Sequence, residues 1–182
     1  MTEENLEKAA KLLPLVCADN FFISCLFEPF LHPDFVPFLE KIPWKYRKRV
    51  FFTTNLTIPI SDETFKRLSR LNLSHINISL DSFQPGLYEK LRKGAKFQRF
   101  KDNLERMVGI FSRESQAAPL RYITVVLKEN YPEIPSIIET CRRDYLSTGH
   151  ELRYVQPAAH HSLEWKQENL ISNRQWEELE EF

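Results

Sequence analysis

Residues 75–82 read HINISLDS, and this stretch decides the fold. Side chains alternate across a β-strand. One face therefore carries Ile76, Ile78 and Leu80, and the other carries Asn77, Ser79 and Asp81. A parallel strand buried on both faces reads as a near-continuous apolar run. Here only one face is apolar enough to meet helices. The other must meet solvent in an open sheet, or a ligand and water in a barrel lumen, where an unpaired polar group is costly.

The same rhythm continues on either side. Strands are expected at Asn20–Leu26 (NFFISCL), Arg49–Thr54 (RVFFTT), His75–Leu80, Leu120–Leu127 (LRYITVVL) and Glu151–Val155 (ELRYV). Helical spacing covers 2–13, 34–42, 61–71, 97–112 and 133–146, with one or two helical turns over 84–93. Thr2 and Ser61 are the expected N-caps of the first and third of these, and Asp62 and Glu63 suit the helix dipole. After Pro157 comes a polar stretch, and a last helix capped by Ser172 runs to the end. Strands separated by helices predict βαβ units and a mainly parallel sheet. Either an open doubly wound sheet or an arc of a (β/α) barrel satisfies this order. Residues 1–157 form the α/β unit in this reading, and 158–182 a C-terminal polar stretch and helix.

Strand parity gathers polar side chains at one edge. FFISCLFE places Phe22, Ser24, Leu26 and Glu28 on one side, and RVFFTTN places Phe51, Thr53 and Asn55 on one side. LRYITVVL places Tyr122 and Thr124 together, and ELRYV offers Arg153. The polar members Glu28, Asn55, Ser79 and Asp81 fall at the C-terminal ends of strands, where parallel α/β architectures bind ligands. Turn chemistry is the competing explanation, since Asn, Asp and Ser also cap helices and make turns.

Composition removes several function classes. The chain has 182 residues, with 25 Lys+Arg against 25 Asp+Glu. That balance excludes a dedicated electrostatic binder of nucleic acid. The 42% hydrophobic content and 14 phenylalanines argue for a packed core rather than disorder. No apolar run reaches the ~18 residues of a membrane helix, and the N-terminus lacks a signal-peptide core. A soluble cytoplasmic protein is the expectation. Cys17, Cys25 and Cys141 form no CxxC or CxxxC cluster. A thiolate-built zinc or iron–sulfur site is therefore not visible in this chain. His160 and His161 lie in the polar stretch without a partner cluster, and His32 reads as a packing or capping residue.

Three segments in register, CLFEPFLHPDFVPFLEKI, VFFTTNLTIPISDETFKRL and HINISLDSFQPGLYEKLRKGAKFQRFKDNLERM, resemble the core of radical S-adenosylmethionine (AdoMet) enzymes. The resemblance is nearest to members that modify peptides or proteins and to the molybdenum-cofactor enzyme of that superfamily. It runs from about Phe21 to Pro157 and implies a partial (β/α) TIM-like barrel. Glu28 matches a glutamate that holds the methionyl ammonium of AdoMet. Thr53 and Asn55 match a third-strand element near cofactor and substrate. Ser79 and Asp81 match a fourth-strand element at the cofactor's ribose and carboxylate. Arg92 matches the basic residue that pairs with the methionyl carboxylate, which suits a guanidinium. Asn130 matches an asparagine after the fifth strand, and Arg153 a sixth-strand arginine.

The resemblance also implies a [4Fe–4S] cluster, held in relatives by a CxxxCxxC loop after the first strand, that reduces AdoMet to give a 5′-deoxyadenosyl radical. This chain has about five of the barrel's strands and lacks the first strand and that loop, so no cluster is expected on it. Leu26 and Phe27 stand where relatives have two glycines and are expected to fill part of the pocket. Leu56 stands where a third glycine is expected. The implied activity is modification of a peptide or small molecule by intact relatives, with this truncated chain inactive by itself. The alternative is a non-catalytic module that binds a ligand, or a protein partner at the barrel edge exposed by the missing strand.

Overall fold

The computed structural model describes residues 3–16, 20–23, 27–155 and 161–180. Its spine is a single parallel sheet in the order β1-β2-β3-β4-β5. In chain order come α1 (Glu3–Leu12), β1 (Phe21–Phe22), α2 (Phe35–Lys41), α3 (Trp44–Arg47), β2 (Val50–Thr54), α4 (Asp62–Ser69) and β3 (His75–Ser79). They are followed by α5 (Pro85–Leu91), α6 (Phe97–Phe111), β4 (Leu120–Val126), α7 (Ile134–Asp144), β5 (Ser147–Tyr154), α8 (Leu163–Asn169) and α9 (Asn173–Glu180). Short 3₁₀ turns lie at Leu13–Leu15, Pro29–Leu31 and Tyr131–Glu133.

Strand order settles which α/β architecture this is. A doubly wound sheet reverses its strand order and covers both faces with helices. Here neighbours in sequence are neighbours in the sheet, and the sheet does not close. The register Phe52↔Ile76, Thr54↔Ile78 and Ile78↔Tyr122 sets one face. Its Val50, Phe52, Ile76, Ile78 and Tyr122 are fully buried against Leu39, Phe65, Leu68, Phe100, Leu104, Met107 and Ile137 from the helices. Burial of each such side chain contributes about 1.5–3 kcal/mol. The other face carries Phe51, Thr53, His75, Asn77, Ser79, Arg121, Ile123 and Glu151 in register, as the lumenal side of a partial barrel would.

Local chemistry explains the main elements. Ser61 caps α4 by accepting the Thr64 N–H at 3.1 Å, and Asp62 and Glu63 sit in its first turn. Pro85 begins α5, where a missing N–H is harmless. Ile171 and Leu179 join the core cluster of the sheet, Tyr154 lies against Trp176, and Lys128 N–H bonds to Asn169 O at 2.9 Å.

Three expectations are corrected. β5 begins at Ser147 rather than Glu151, because STGH reads as a turn but pairs with β4 across an irregularity at Leu120/Arg121. The polar stretch contains helix α8, capped by Ser162, whose side chain accepts the Trp165 N–H at 3.0 Å. Tyr122 and Thr124 lie on the helix-packed face with Ile78 and Leu80, because β4 is apolar on both faces and parity alone did not assign its sides. Phe27 is 81% exposed. Cys17, Ser24, Cys25, Leu26 and His160 lie outside the described residues.

Candidate functional site

The C-terminal ends of the strands share one rim, and two clusters of polar groups stand on it. The first is built around Glu28, which follows β1 and caps the Pro29–Leu31 turn. Its Oε1 accepts the Thr54 hydroxyl at 2.6 Å and the Phe30 N–H at 3.4 Å. Its Oε2 accepts the Asn55 N–H at 2.7 Å. Burial raises the Glu28 carboxyl above the ordinary glutamate range, opposed by these three hydrogen bonds. Thr54 Oγ1 in turn accepts the Leu56 N–H at 3.1 Å, and Asn55 Oδ1 accepts the N–H and hydroxyl of Thr57.

Leu56 pins this loop at a conformational cost. It adopts φ +52°, the left-handed region that glycine enters without penalty. Its side chain is nonetheless fully buried, and its carbonyl accepts the Asn103 amide at 2.8 Å. The same amide bonds the Ile58 carbonyl at 2.7 Å, so α6 holds the loop after β2. Strain of this kind costs on the order of 1 kcal/mol, and the leucine side chain's burial offsets it.

The second cluster is built around Asp81, just beyond β3. Asp81 Oδ1 accepts the Val125 N–H at 2.9 Å. Its Oδ2 pairs with Arg92 at 2.8 Å, with the two side chains only 9% and 19% exposed. Asn130 is fully buried and closes the corner. Its amide donates to Asp81 O at 2.9 Å and Val125 O at 3.0 Å, and its Oδ1 accepts the Leu127 N–H at 2.8 Å. One asparagine thus locks the ends of β3 and β4 together. Ser82 donates to Glu133 at 2.6 Å and accepts the Gln84 N–H, fixing the start of α5.

Arg92 is only partly satisfied. Its guanidinium lies over the Tyr88 ring, 5.9 Å from the centroid. Arg92 Nε and the Tyr88 hydroxyl are both buried and have no hydrogen-bond partner among the described residues. Buried donors without partners are uncommon, and each needs a reason.

The structure therefore brings Glu28 and Asn55 together in one cluster, and Asp81, Arg92 and Asn130 in the other. Thr53 and Ser79 are half-buried on the helix-free face instead, with Thr53 Oγ1 3.5 Å from the Asn77 amide. Arg153 is exposed on β5 and pairs with Glu151 at 2.7 Å. Sequence reasoning missed Thr54 and Tyr88. Thr54 sits on the core face by parity, and the available signal was a hydroxyl where an apolar residue belongs. Tyr88 stands four positions before Arg92, and the helical turns expected over 84–93 place the two on one face, which is the signal that could have found it.

The donor set for a metal cluster is a separate matter. Among the described residues no group of three or more His, Cys, Asp or Glu could hold a metal ion. Cys141 is fully buried in α7, and burial pushes its thiol well up. His32 Nδ1 accepts the Asp34 N–H, and His161 stacks on Trp165. Among the described residues Cys141 has no second thiol beside it, so they hold no three-thiolate set for a [4Fe–4S] cluster.

A sheet arc with its polar rim at the strand C-termini defines a class, and the sequence comparisons agree with it. The family model described as the radical SAM superfamily matches residues 1–141. The chain belongs to that superfamily. It is 26% identical over 115 residues to a probable GTP 3′,8-cyclase of Methanocaldococcus jannaschii, covering 63% of this chain and 36% of the relative. It is 25% identical over 116 residues to a probable GTP 3′,8-cyclase of Methanococcus maripaludis, covering 64% and 37%. The chain thus spans about a third of the length of these curated relatives. Among solved structures, native anSMEcpe with bound AdoMet and Kp18Cys peptide superposes with a TM-score of 0.68 at 15% identity, over 97% of this chain and 49% of that one. This likeness shows the fold, a partial TIM barrel.

Proposed function

We propose that the chain is the AdoMet-binding core of a radical SAM protein, with Glu28 and Arg92 on opposite sides of the ligand's methionyl group. The observation that carries this reading is the Asp81–Arg92–Asn130 cluster, in which a nearly buried arginine keeps an unpaired donor at the strand rim. Arg92 and Tyr88 present donors to a carboxylate, and the Glu28 carboxylate presents an acceptor to an ammonium. An amino-acid-like group with both charges suits that arrangement. Asn55 and Asp81 stand on the same rim, where ribose hydroxyls find an amide and a carboxylate. When bound, AdoMet supplies a sulfonium, the group whose carbon–sulfur bond this superfamily breaks.

The reading stops short of a reaction on this chain. Its own cysteines do not provide the reducing cluster, so the 182 residues bind AdoMet without cleaving it. The substrate of the intact protein is a peptide or small molecule in this reading. It would meet the helix-free face of the sheet, where Thr53, Asn77 and Ser79 stand below the rim. That AdoMet and a peptide are bound by anSMEcpe, with the same fold, supports this choice of class.

Calorimetry of the chain with AdoMet tests the proposal. Saturable binding is expected, lost in Arg92→Ala and weakened in Glu28→Ala. Equal binding by all three proteins would refute the assigned site. A second reading, a non-catalytic module that pairs with another chain, was expected to use the edge beside the missing first strand, next to β1. Among the described residues the opposite edge, the eight-residue β5, likewise pairs with one strand only and is the longer template. Concentration-dependent self-association or partner capture abolished by a proline within Ser147–Tyr154 would favour it.

A further inference from the structure

The end of the sheet opposite the rim is strongly basic. The strands run parallel, so the segments that enter them share this end. Residues 41–49, KIPWKYRKR, cross it before β2 and hold five cations and no acid. Arg49 donates to the carbonyls of Leu13 and Val16, which brings the end of α1 and its Lys11 alongside. Arg113 precedes β4, and Arg142 and Arg143 precede β5. Among the described residues the acids in the last helical turns and loops of this end are Glu40, Glu114 and Asp144. Each is paired, with Arg67, Arg70 and Arg143 respectively. Lys11, Lys45, Lys48, Arg113 and Arg142 are left facing water with no carboxylate partner among the described residues.

Helix C-termini gather at this end, and cations there complement the helix dipole. That accounts for some of the charge and for none of the apolar surface set among it. Leu15, Trp44 and Leu146 are 74%, 50% and 42% exposed. Trp44 stands inside the basic stretch, with the Arg47 guanidinium 5.3 Å from its ring centroid. Leu146 follows α7 at φ +54°, a left-handed position that glycine or asparagine ordinarily holds at a helix end. Leucine there strains the backbone and leaves an apolar side chain in water. Single exposed apolar residues are ordinary. Three of them interleaved with unpaired cations match a partner that is anionic at its surface and apolar just beneath.

We propose that this end of the sheet is a docking face for an anionic lipid bilayer, with Leu15, Trp44 and Leu146 entering the headgroup boundary and Lys45, Lys48 and Arg142 meeting lipid phosphates. Tryptophan suits that boundary, being apolar in body and polar at one edge. Lysine suits it too, because its stem lies along apolar surface while the ammonium stays at the phosphates. Among the described residues no helix is long and apolar enough to cross a membrane, so the contact is with the surface. A nucleic acid also offers phosphates, but it has no apolar layer for Leu15 and Leu146. Docked in this way, the chain turns its rim of polar groups away from the bilayer. The face and the rim lie at opposite ends of the strands, so the proposal is independent of the AdoMet reading.

Co-sedimentation of the full chain with lipid vesicles tests it. The vesicles are phosphatidylcholine alone, or phosphatidylcholine with about one-third phosphatidylserine, at about 0.1 M and about 0.5 M salt. Binding is expected to the anionic vesicles, weaker at the higher salt and weaker still without phosphatidylserine. Lys45→Gln combined with Lys48→Gln should weaken it about 30-fold, at about fivefold for each cation removed. Leu146→Asn suits the left-handed backbone, so its melting temperature should be unchanged or raised, while vesicle binding falls roughly 10-fold at either salt concentration. AdoMet calorimetry of these variants should match the wild type, so a failure here and a failure of the AdoMet reading are separate results. A wild type that binds both vesicles equally, or neither, would overturn the docking face. So would a lowered melting temperature in Leu146→Asn, which assigns that leucine to the fold. Duplex DNA bound as tightly as the anionic vesicles, and equally by Leu146→Asn, would give the face to nucleic acid and overturn the proposal as well.

Discussion

The two clusters on the rim are built on opposite plans. Around Glu28 the chain answers itself: a carboxylate takes one hydroxyl and two backbone N–H groups, all from Phe30, Thr54 and Asn55. Around Arg92 it does not: one nitrogen pairs with Asp81, while Nε and the neighbouring Tyr88 hydroxyl stay unpartnered. The Glu28 cluster is a bracket that ties the Pro29–Leu31 turn to the end of β2. The Arg92 cluster is a socket whose hydrogen bonding is incomplete until something enters. A site that binds a zwitterion across a sheet edge needs both, a rigid side to measure from and an unsatisfied side to attract.

The sharpest way to break this contrast is Arg92→Ala. It empties the socket and leaves Asp81 nearly buried without its cation. A loss of about 3 kcal/mol in folding stability is expected, with AdoMet affinity down by roughly 100-fold. Urea unfolding and calorimetry read the two effects separately. Asn130→Ala comes next. It leaves the Asp81 and Val125 carbonyls and the Leu127 N–H unpaired in a buried corner, a loss of about 2–3 kcal/mol by urea unfolding. Affinity should fall along with it, since the ends of β3 and β4 then separate.

Glu28→Gln probes the bracket instead. The amide keeps the shape and loses an acceptor, so about 1–2 kcal/mol of stability is expected to go at low pH. An acid whose folded-state pKa lies above its unfolded value is stabilising in its protonated form. That contribution is fully present below the unfolded value, near 4.5, and is lost as pH rises through the raised native value. The stability gap between wild type and Glu28→Gln should therefore narrow as pH rises from 4 to 7, measured by denaturant titration at each pH. A gap that widens would mean that Glu28 is held below the ordinary range, and that the bracket favours the charged form. The smallest effect is assigned to Arg153→Ala. Its pair with Glu151 is solvent-exposed, so changes of about 0.5 kcal/mol or less and near-unchanged AdoMet affinity are expected.

Much of this contrast is legible in the sequence, and the parts that are not have physical reasons. The helix-packed face of β3 follows from the alternation in HINISLDS, and Glu28, Asn55 and Asp81 follow from polar residues ending strands. Thr54 does not follow, because its parity assigns it to the core, and its partner Glu28 is remote in sequence. Thr53 was favoured for the opposite reason: the parity that makes it lumenal also turns it away from Glu28. The start of β5 was hidden because a strand at the edge of a sheet tolerates Ser147, Thr148 and Gly149, which elsewhere signal a turn. Helix α8 was hidden because LEWKQEN is short and polar, and its clearest marker is the Ser162 cap. Tyr88 is fully buried, as a core residue would be. What the sequence could not display is that a buried hydroxyl would be left without a partner.

The central claim is that both clusters meet one ligand. Backbone amide resonances of the labelled chain, followed during titration with AdoMet, test it most directly. The account predicts saturable shifts at Asn55 in the bracket and at Arg92, Val125 and Leu127 around the socket, all with one midpoint. Shifts confined to one cluster, separate midpoints, or perturbation only at the β5 edge would contradict it.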